Sequence, residues 1–432
     1  MSELQERLLA EISKIPVIDT HSRIDPHRPT ARDLDDLLGH HDYTALVHSA
    51  GMAHDALRSE VPAEDRARAI ARYLPAIENT CRYSSLLEIA LEVFEFSHER
   101  IDDSSIDALS RLSSRLLESE GWESNLFYRS NIERIFLTNG FDEPLEGIDT
   151  GRYVPSLDLN DLIFDLGSAS VIERLRQTSQ RDAGNAASLV DALEAVFARF
   201  AEGGARAALV ALPPGFAPGP VDDSTAEPIL RRLLAGSRLD AREEALVSRF
   251  VLWRSAELCS EHGIPLNLML GVHRNVYKGG VHQGRDLPGR LSSLHPFQVL
   301  FNSFPGVTFP VSILAADGGQ ELVSYASVFP NVVAHGHWWY ANLPAYVEVD
   351  TRARLQGLPR TKQIGCFSEA TKLEFVLPRF RTYRRILARI LAEDYVEERR
   401  WSEEKAVRLA SDLLRGNAER TFLERHAEPA TS

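Results

Sequence analysis

PVIDTH, residues 16–21, opens apolar and ends polar, the pattern of a short buried strand whose last residues emerge at one edge of a sheet. Similar runs recur along the chain at 132–138 (IERIFLT), 153–157 (YVPSL), 206–212 (RAALVAL), 265–270 (PLNLML), 307–313 (VTFPVSI), 332–337 (VVAHGH) and 364–368 (IGCFS). Helical periodicity separates most of them, notably over 187–201 and 242–262. Buried strands alternating with helices imply a parallel sheet covered on both faces. About eight such units predict a closed α/β structure, a (β/α)8 TIM-like barrel. An open doubly wound sheet is the rival, but no glycine-rich phosphate loop follows any run.

Between the first two runs the spacing is helical. ARAIARYLPAI (67–77) and SSLLEIALEVF (84–94) repeat apolar residues at i, i+3 and i+4. A helical insertion over 33–122 is therefore expected after strand one, within a single barrel domain spanning 1–432.

The composition narrows the function class. A hydrophobic content of 44% allows a large core, and the net charge of −14 opposes general binding to nucleic acid or membrane surfaces. A local basic pocket for a small anion remains compatible with it. Cys81, Cys259 and Cys366 form no metal or redox spacing. The start, MSELQERLLAEISKIP, has no apolar signal core, and no apolar run of about 18 residues occurs. The expected location is the cytoplasm, and a homo-oligomer is compatible with all of this.

In barrels of this kind chemistry sits at the C-terminal ends of the strands. Strand one ends in Asp19, Thr20, His21, Ser22 and Arg23, and the loop beyond adds His40, His41, Asp42, Tyr43 and His48. Strand five runs into His273 and Arg274. Strand seven carries His335 and His337, followed by Trp338, Trp339 and Tyr340; strand eight ends in Ser368 and Glu369, with Lys372 beyond. A carboxylate and an imidazole at facing strand ends suit proton transfer or metal binding, and the arginines and lysine suit an anionic substrate. The helices over 380–415 read as packing with solvated faces.

Four segments carry a resemblance to the uronate isomerases of the amidohydrolase superfamily: VIDTHSRIDP (17–26), LLGHHDYTALVHSAGM (37–52), HGHWWYANLP (335–344) and IGCFSEATKLEFVLPRFRTYRRIL (364–387). GNAERTF (416–422) is similar to a common superfamily ending, so the likeness spans nearly the whole chain. It implies an enzyme that interconverts aldose and ketose forms of a hexuronate. With this chain's own residues at the matching positions, His21, Arg23, Tyr43 and Glu369 are the catalytic candidates, and His41, His48, Asp158, Arg274, Trp338, Trp339 and Lys372 the candidate substrate contacts. His21 and Glu369 would be the remaining metal ligands.

The departures from the pattern concern the metal. Arg23 stands where the resemblance places a second histidine ligand, and a guanidinium has no lone pair to offer a cation. Glu369 stands in place of an aspartate, Asp158 and Thr371 in place of substrate-binding arginines, and Met269 in a position often held by histidine. The chain is therefore expected to bind no metal, or one divalent ion such as zinc weakly. Arg23 is expected to pair with Glu369 or Asp158. A metal-free or reassigned lyase, decarboxylase or hydrolase acting on another small carboxylate is the alternative function, with a non-catalytic binding protein behind it.

Overall fold

The computed structural model describes residues 1–424 apart from 59 and 291. A parallel barrel forms its centre. Val17–Asp19 pairs with Ile132–Phe136, which pairs with Tyr153–Val154. Pro155, lacking an N–H, then breaks the third strand. Beyond it Ser156–Asp158 resumes between Asn139–Gly140, the continuation of strand two, and Ala207–Leu212. Parallel pairing continues through Leu266–Leu270, Phe309–Ile313, Val332–His335 and Gln363–Ile364.

The last strand is shorter than the run 364–368 predicts. Gly365 donates its N–H sideways to Leu413 O at 3.0 Å, which takes the chain out of the ladder. Strand seven likewise stops at His335. Gly336 follows at φ 44°, where a Cβ would run into the Phe367 ring, so His337 lies outside the sheet.

Closure between the last strand and the first is made by a seam of specific bonds. Glu369 N donates to His21 O at 3.0 Å, and Arg23 N donates to Ala370 O at 2.8 Å. Ser368 donates its N–H to Asp19 Oδ1 at 2.8 Å and its hydroxyl to the other oxygen of the same carboxylate. Asp19 is fully buried, and that burial pushes its carboxyl up to about 7 despite the bonds from Ser368. Chain ends some 350 residues apart in sequence thus bring His21, Arg23 and Glu369 to one point on the rim.

Between strands one and two the described chain is helical, from Leu34–Leu38 through His41–Ser49, Ala63–Ala71, Cys81–Val93 and Ile106–Leu117 to Trp122–Ser130. Leu37, Tyr43, Leu86 and Phe94 of this insertion share one core with Leu377, Phe380 and Leu387 of the helix Val376–Ile390. That packing holds the insertion over the end of strand eight. Beyond strand five the chain adds an antiparallel pair, Val272–His273 with Leu287–Pro288, which the sequence patterning does not predict. No described helix is long and apolar enough to cross a membrane.

The seam is open to direct test. Ser368→Ala removes a hydroxyl bond to a buried carboxylate and is expected to cost about 1–3 kcal/mol in urea unfolding. An unchanged midpoint would show that the closure is held elsewhere.

Candidate active site

His21 is buried at the rim of strand one. Thr138 spends its hydroxyl proton on Ser22 O at 2.7 Å, so its 3.4 Å contact with His21 Nδ1 is one in which the ring donates. The Nε2 lone pair is then left free, and that atom is buried without a partner. Burial, then the charge of Arg23, holds the imidazole well below its usual range, so it is neutral.

Glu369 faces it across the seam. Its carboxylate accepts the Trp338 indole N–H at 2.8 Å on one oxygen and the Trp339 backbone N–H at 3.1 Å on the other. Both Glu369 (φ 56°) and Trp339 (φ 38°) sit in left-handed backbone, a strained conformation that aims these groups at one another. Burial raises the Glu369 pKa, with the charges of Arg23 and Arg379 pulling it back. Met269, Leu314, Trp338 and Phe367 form an apolar floor beneath.

Arg23 departs from expectation. It is exposed, and among the described residues no carboxylate lies within 4 Å of it. Asp158, its proposed partner, instead accepts the N–H and the side-chain amide of Asn160 at 2.8 and 2.5 Å, capping the turn that follows its strand. The Arg23 charge still acts on His21, His41, Asp158 and Glu369 together. Compensation is a shared field over the rim and not one ion pair.

The other expected contacts divide. His41 faces the rim, its ring edge-on to Trp339 at 5.5 Å. Tyr43 is buried beside Glu369, and burial followed by the Asp42 charge raises its pKa, so it is a neutral phenol and not a base. His48 is drawn away, its Nδ1 lying 2.8 Å from Met52 O. Arg274 pairs with Asp286 at 3.3 Å on the half-exposed strand-five loop. Lys372 donates to Arg28 O at 2.9 Å, tying down the strand-one loop. Each of these last three side chains thus has a partner within the chain.

Two arginines were not foreseen. Arg82 and Arg379 line a small cavity with Asp42, Tyr43 and Glu369. Arg82 Nη1 pairs with Asp42 at 2.9 Å; against the upward pull of burial, Arg82 and the neighbouring histidines hold Asp42 well below the usual range. Among the described residues Arg379 hydrogen-bonds only through Nε, to Ser368 O at 3.3 Å. Both arginines lie near helix N-termini, in Cys81–Val93 and Val376–Ile390, where the dipole disfavours a cation. That anomaly was the available sequence signal.

A metal is poorly served. His335 is engaged on both nitrogens, with Thr20 at 2.6 Å and Ser312 at 3.4 Å. His337 Nε2 lies 2.8 Å from Asp350, which also holds Arg354. Neither adds a ligand to His21 and Glu369. The one compact group of metal-type donors among the described residues is His40, His41 and Asp42. There His40 Nδ1 accepts the Asp42 N–H at 3.2 Å, which leaves a proton on Nε2, and the Asp42 carboxylate is already paired with Arg82. Neither set offers the roughly three free protein donors that a catalytic zinc site uses beside its water.

A glucuronate isomerase family model matches residues 1–422. The chain belongs to this family. Uronate isomerase of Corynebacterium efficiens is 27% identical over 217 residues, a match that covers 47% of this chain and 45% of that protein, about half of either. Among solved structures, uronate isomerase from Thermotoga maritima superposes with a TM-score of 0.89 at 17% identity, covering 98% of both chains. Glucuronate isomerase from Caulobacter crescentus gives 0.88 at 21%, covering 99% of this chain and 96% of that one. At these identities the superpositions establish the fold, a barrel shared with uronate isomerases.

Elemental analysis of the purified family member is expected to find less than one equivalent of zinc, and Arg23→His to raise zinc affinity by titration calorimetry; a full equivalent dependent on His21 would refute the donor analysis. Arg23→Ala, removing an exposed side chain with no ion pair, is expected to shift stability by no more than about 0.5 kcal/mol. A loss of several kcal/mol would restore the buried-pair expectation.

Proposed function

We propose that the chain is an aldose–ketose isomerase of a hexuronate such as glucuronate or galacturonate. The observation that carries this reading is Glu369: a carboxylate of raised proton affinity, fixed on both oxygens and under the charges of Arg23 and Arg379 at the barrel mouth. Isomerisation needs one base that takes a proton from C2 and returns it to C1. Glu369 fills that role, with Trp338 and Trp339 fixing its orientation.

The hydroxyl proton must pass from O2 to O1 in the same event. His21, neutral and with a free Nε2 lone pair, accepts along that edge. Arg23, charged and open to solvent, holds the sugar carboxylate. His41 and Trp339 form the wall above, and Tyr43 donates a hydrogen bond from below. No step runs through a metal. The poor fit for zinc favours, as a second reading, a metal-free lyase or hydrolase reaction on another small carboxylate with the same base.

Turnover decides between them. A panel of hexuronates followed by proton NMR is expected to show aldose converted to ketose, and product fragments or carbon dioxide would favour the second reading. Glu369→Gln is expected to lower kcat by about 100-fold or more with melting temperature retained. The base must be ionised to act, so kcat/KM rises with pH through the Glu369 pKa. Burial holds that limb above the ordinary glutamate value of about 4.3. A limb that persists unchanged in Glu369→Gln would remove Glu369 from the mechanism.

A further inference from the structure

Arg379 is the unexplained group at this site. Its side chain reaches into the cavity beside Glu369, yet only Nε has a hydrogen-bond partner among the described residues, and no carboxylate lies within 4 Å. Burial, then the charge of nearby Arg82, acts against its protonation. Arginine remains charged under such pressure. A guanidinium held at a helix N-terminus, next to a second guanidinium, is a costly arrangement for packing alone.

The cavity it faces measures about 40 Å³. That is room for roughly three water-sized groups, by the volume a single water needs. A sugar ring does not fit, but the carbonyl and hydroxyl at the reacting end of an open-chain sugar do.

Charge bookkeeping favours the same end. Asp42 and Glu369 together balance Arg82 and Arg379, so the cavity is formally neutral and offers no excess charge to a permanent anion. When Glu369 takes the C2 proton it loses its charge, and one negative charge appears on the O1–O2 edge of the sugar. The field of Arg379 covers both locations, so the transfer leaves the cavity neutral at every stage. Arg23, exposed and unpaired, is the cation with charge to spare for the distant carboxylate.

We infer that Arg379 is a catalytic residue, the electrophile that stabilises the enediolate with its two terminal nitrogens. This rests on the isomerase reading above. In the step, the C2–H bond breaks, the proton goes to Glu369, and the electron pair moves onto O1. The enediolate is then reprotonated at C1 by the same carboxyl, while the hydroxyl proton crosses from O2 to O1. Nothing is oxidised or reduced overall, and no co-reactant enters. Arg379 does here what a Lewis acid would otherwise do.

The experiment compares the intact wild-type chain with Arg379→Ala, Arg379→Lys and Arg23→Gln, using glucuronate and galacturonate for turnover and gluconate, which cannot isomerise, as a binding probe. Removing one oxyanion donor typically costs about 100- to 1000-fold in kcat. That loss is expected in Arg379→Ala, with gluconate affinity within threefold or so of wild type. Millimolar guanidinium is expected to restore part of the lost rate, and Arg379→Lys to keep part of it. Arg23→Gln is expected to do the reverse, weakening gluconate and raising KM more than it lowers kcat. Arg379→Ala retaining wild-type kcat would overturn the assignment while leaving the isomerase reading intact. So would a parallel loss of kcat and gluconate binding without guanidinium rescue. A wild-type chain that turns over no hexuronate would overturn both.

Discussion

The active rim depends on how the barrel closes. Strand eight contributes little ladder, and the circle is completed by Asp19 receiving both Ser368 donors and by backbone bonds from Glu369 to His21 and from Arg23 to Ala370. Each of these bonds joins a residue within or beside the site to another one. Closing the fold and assembling the site are therefore a single event. Rotation of strand eight by one residue would turn Glu369 away from His21 and leave Asp19 buried without its donors.

Around that seam, charge is arranged in two zones. The inner cavity sets two carboxylates against two guanidiniums, Arg82 paired directly with Asp42, and Arg379 in the field of Asp42 first and of Glu369 after it. The outer rim keeps Arg23 without a partner, where solvent screens it and its field reaches four titratable groups. A chain of net charge −14 repels anions over most of its surface, so an exposed guanidinium such as Arg23 is a local point of attraction for one. In the proposed reaction, Arg23 is thus free to orient an incoming acid.

Much of the barrel was legible in the sequence. Predominantly apolar runs such as RAALVAL and PLNLML fall on observed strands, because strands buried on both faces have no reason to alternate. The shorter strands were misjudged where a backbone bond left the ladder, as at Gly365, since apolar composition continues although pairing does not. His21 and Glu369 were readable because strand ends are few and polar residues there are conspicuous. Arg82 and Arg379 were not, since both lie in segments whose periodicity reads as packing helices, and only the tertiary contact between the insertion and Val376–Ile390 brings them together. The Arg23 pairing failed for a related reason. Its sequence position fixes the backbone at the seam, but Asp158 is already engaged by Asn160 and Glu369 by Trp338 and Trp339.

One consequence of the Trp338–Glu369 bond is optical. The indole is 2% exposed and gives its N–H to the carboxylate that changes charge during the proposed reaction. A neighbouring ionised group perturbs the excited indole differently from a neutral one, so the emission of Trp338 tracks the state of Glu369. With five tryptophans in the chain, replacing the other four by phenylalanine would isolate that signal. The site then carries its own fluorophore, and protonation or occupancy could be followed in stopped flow without a label.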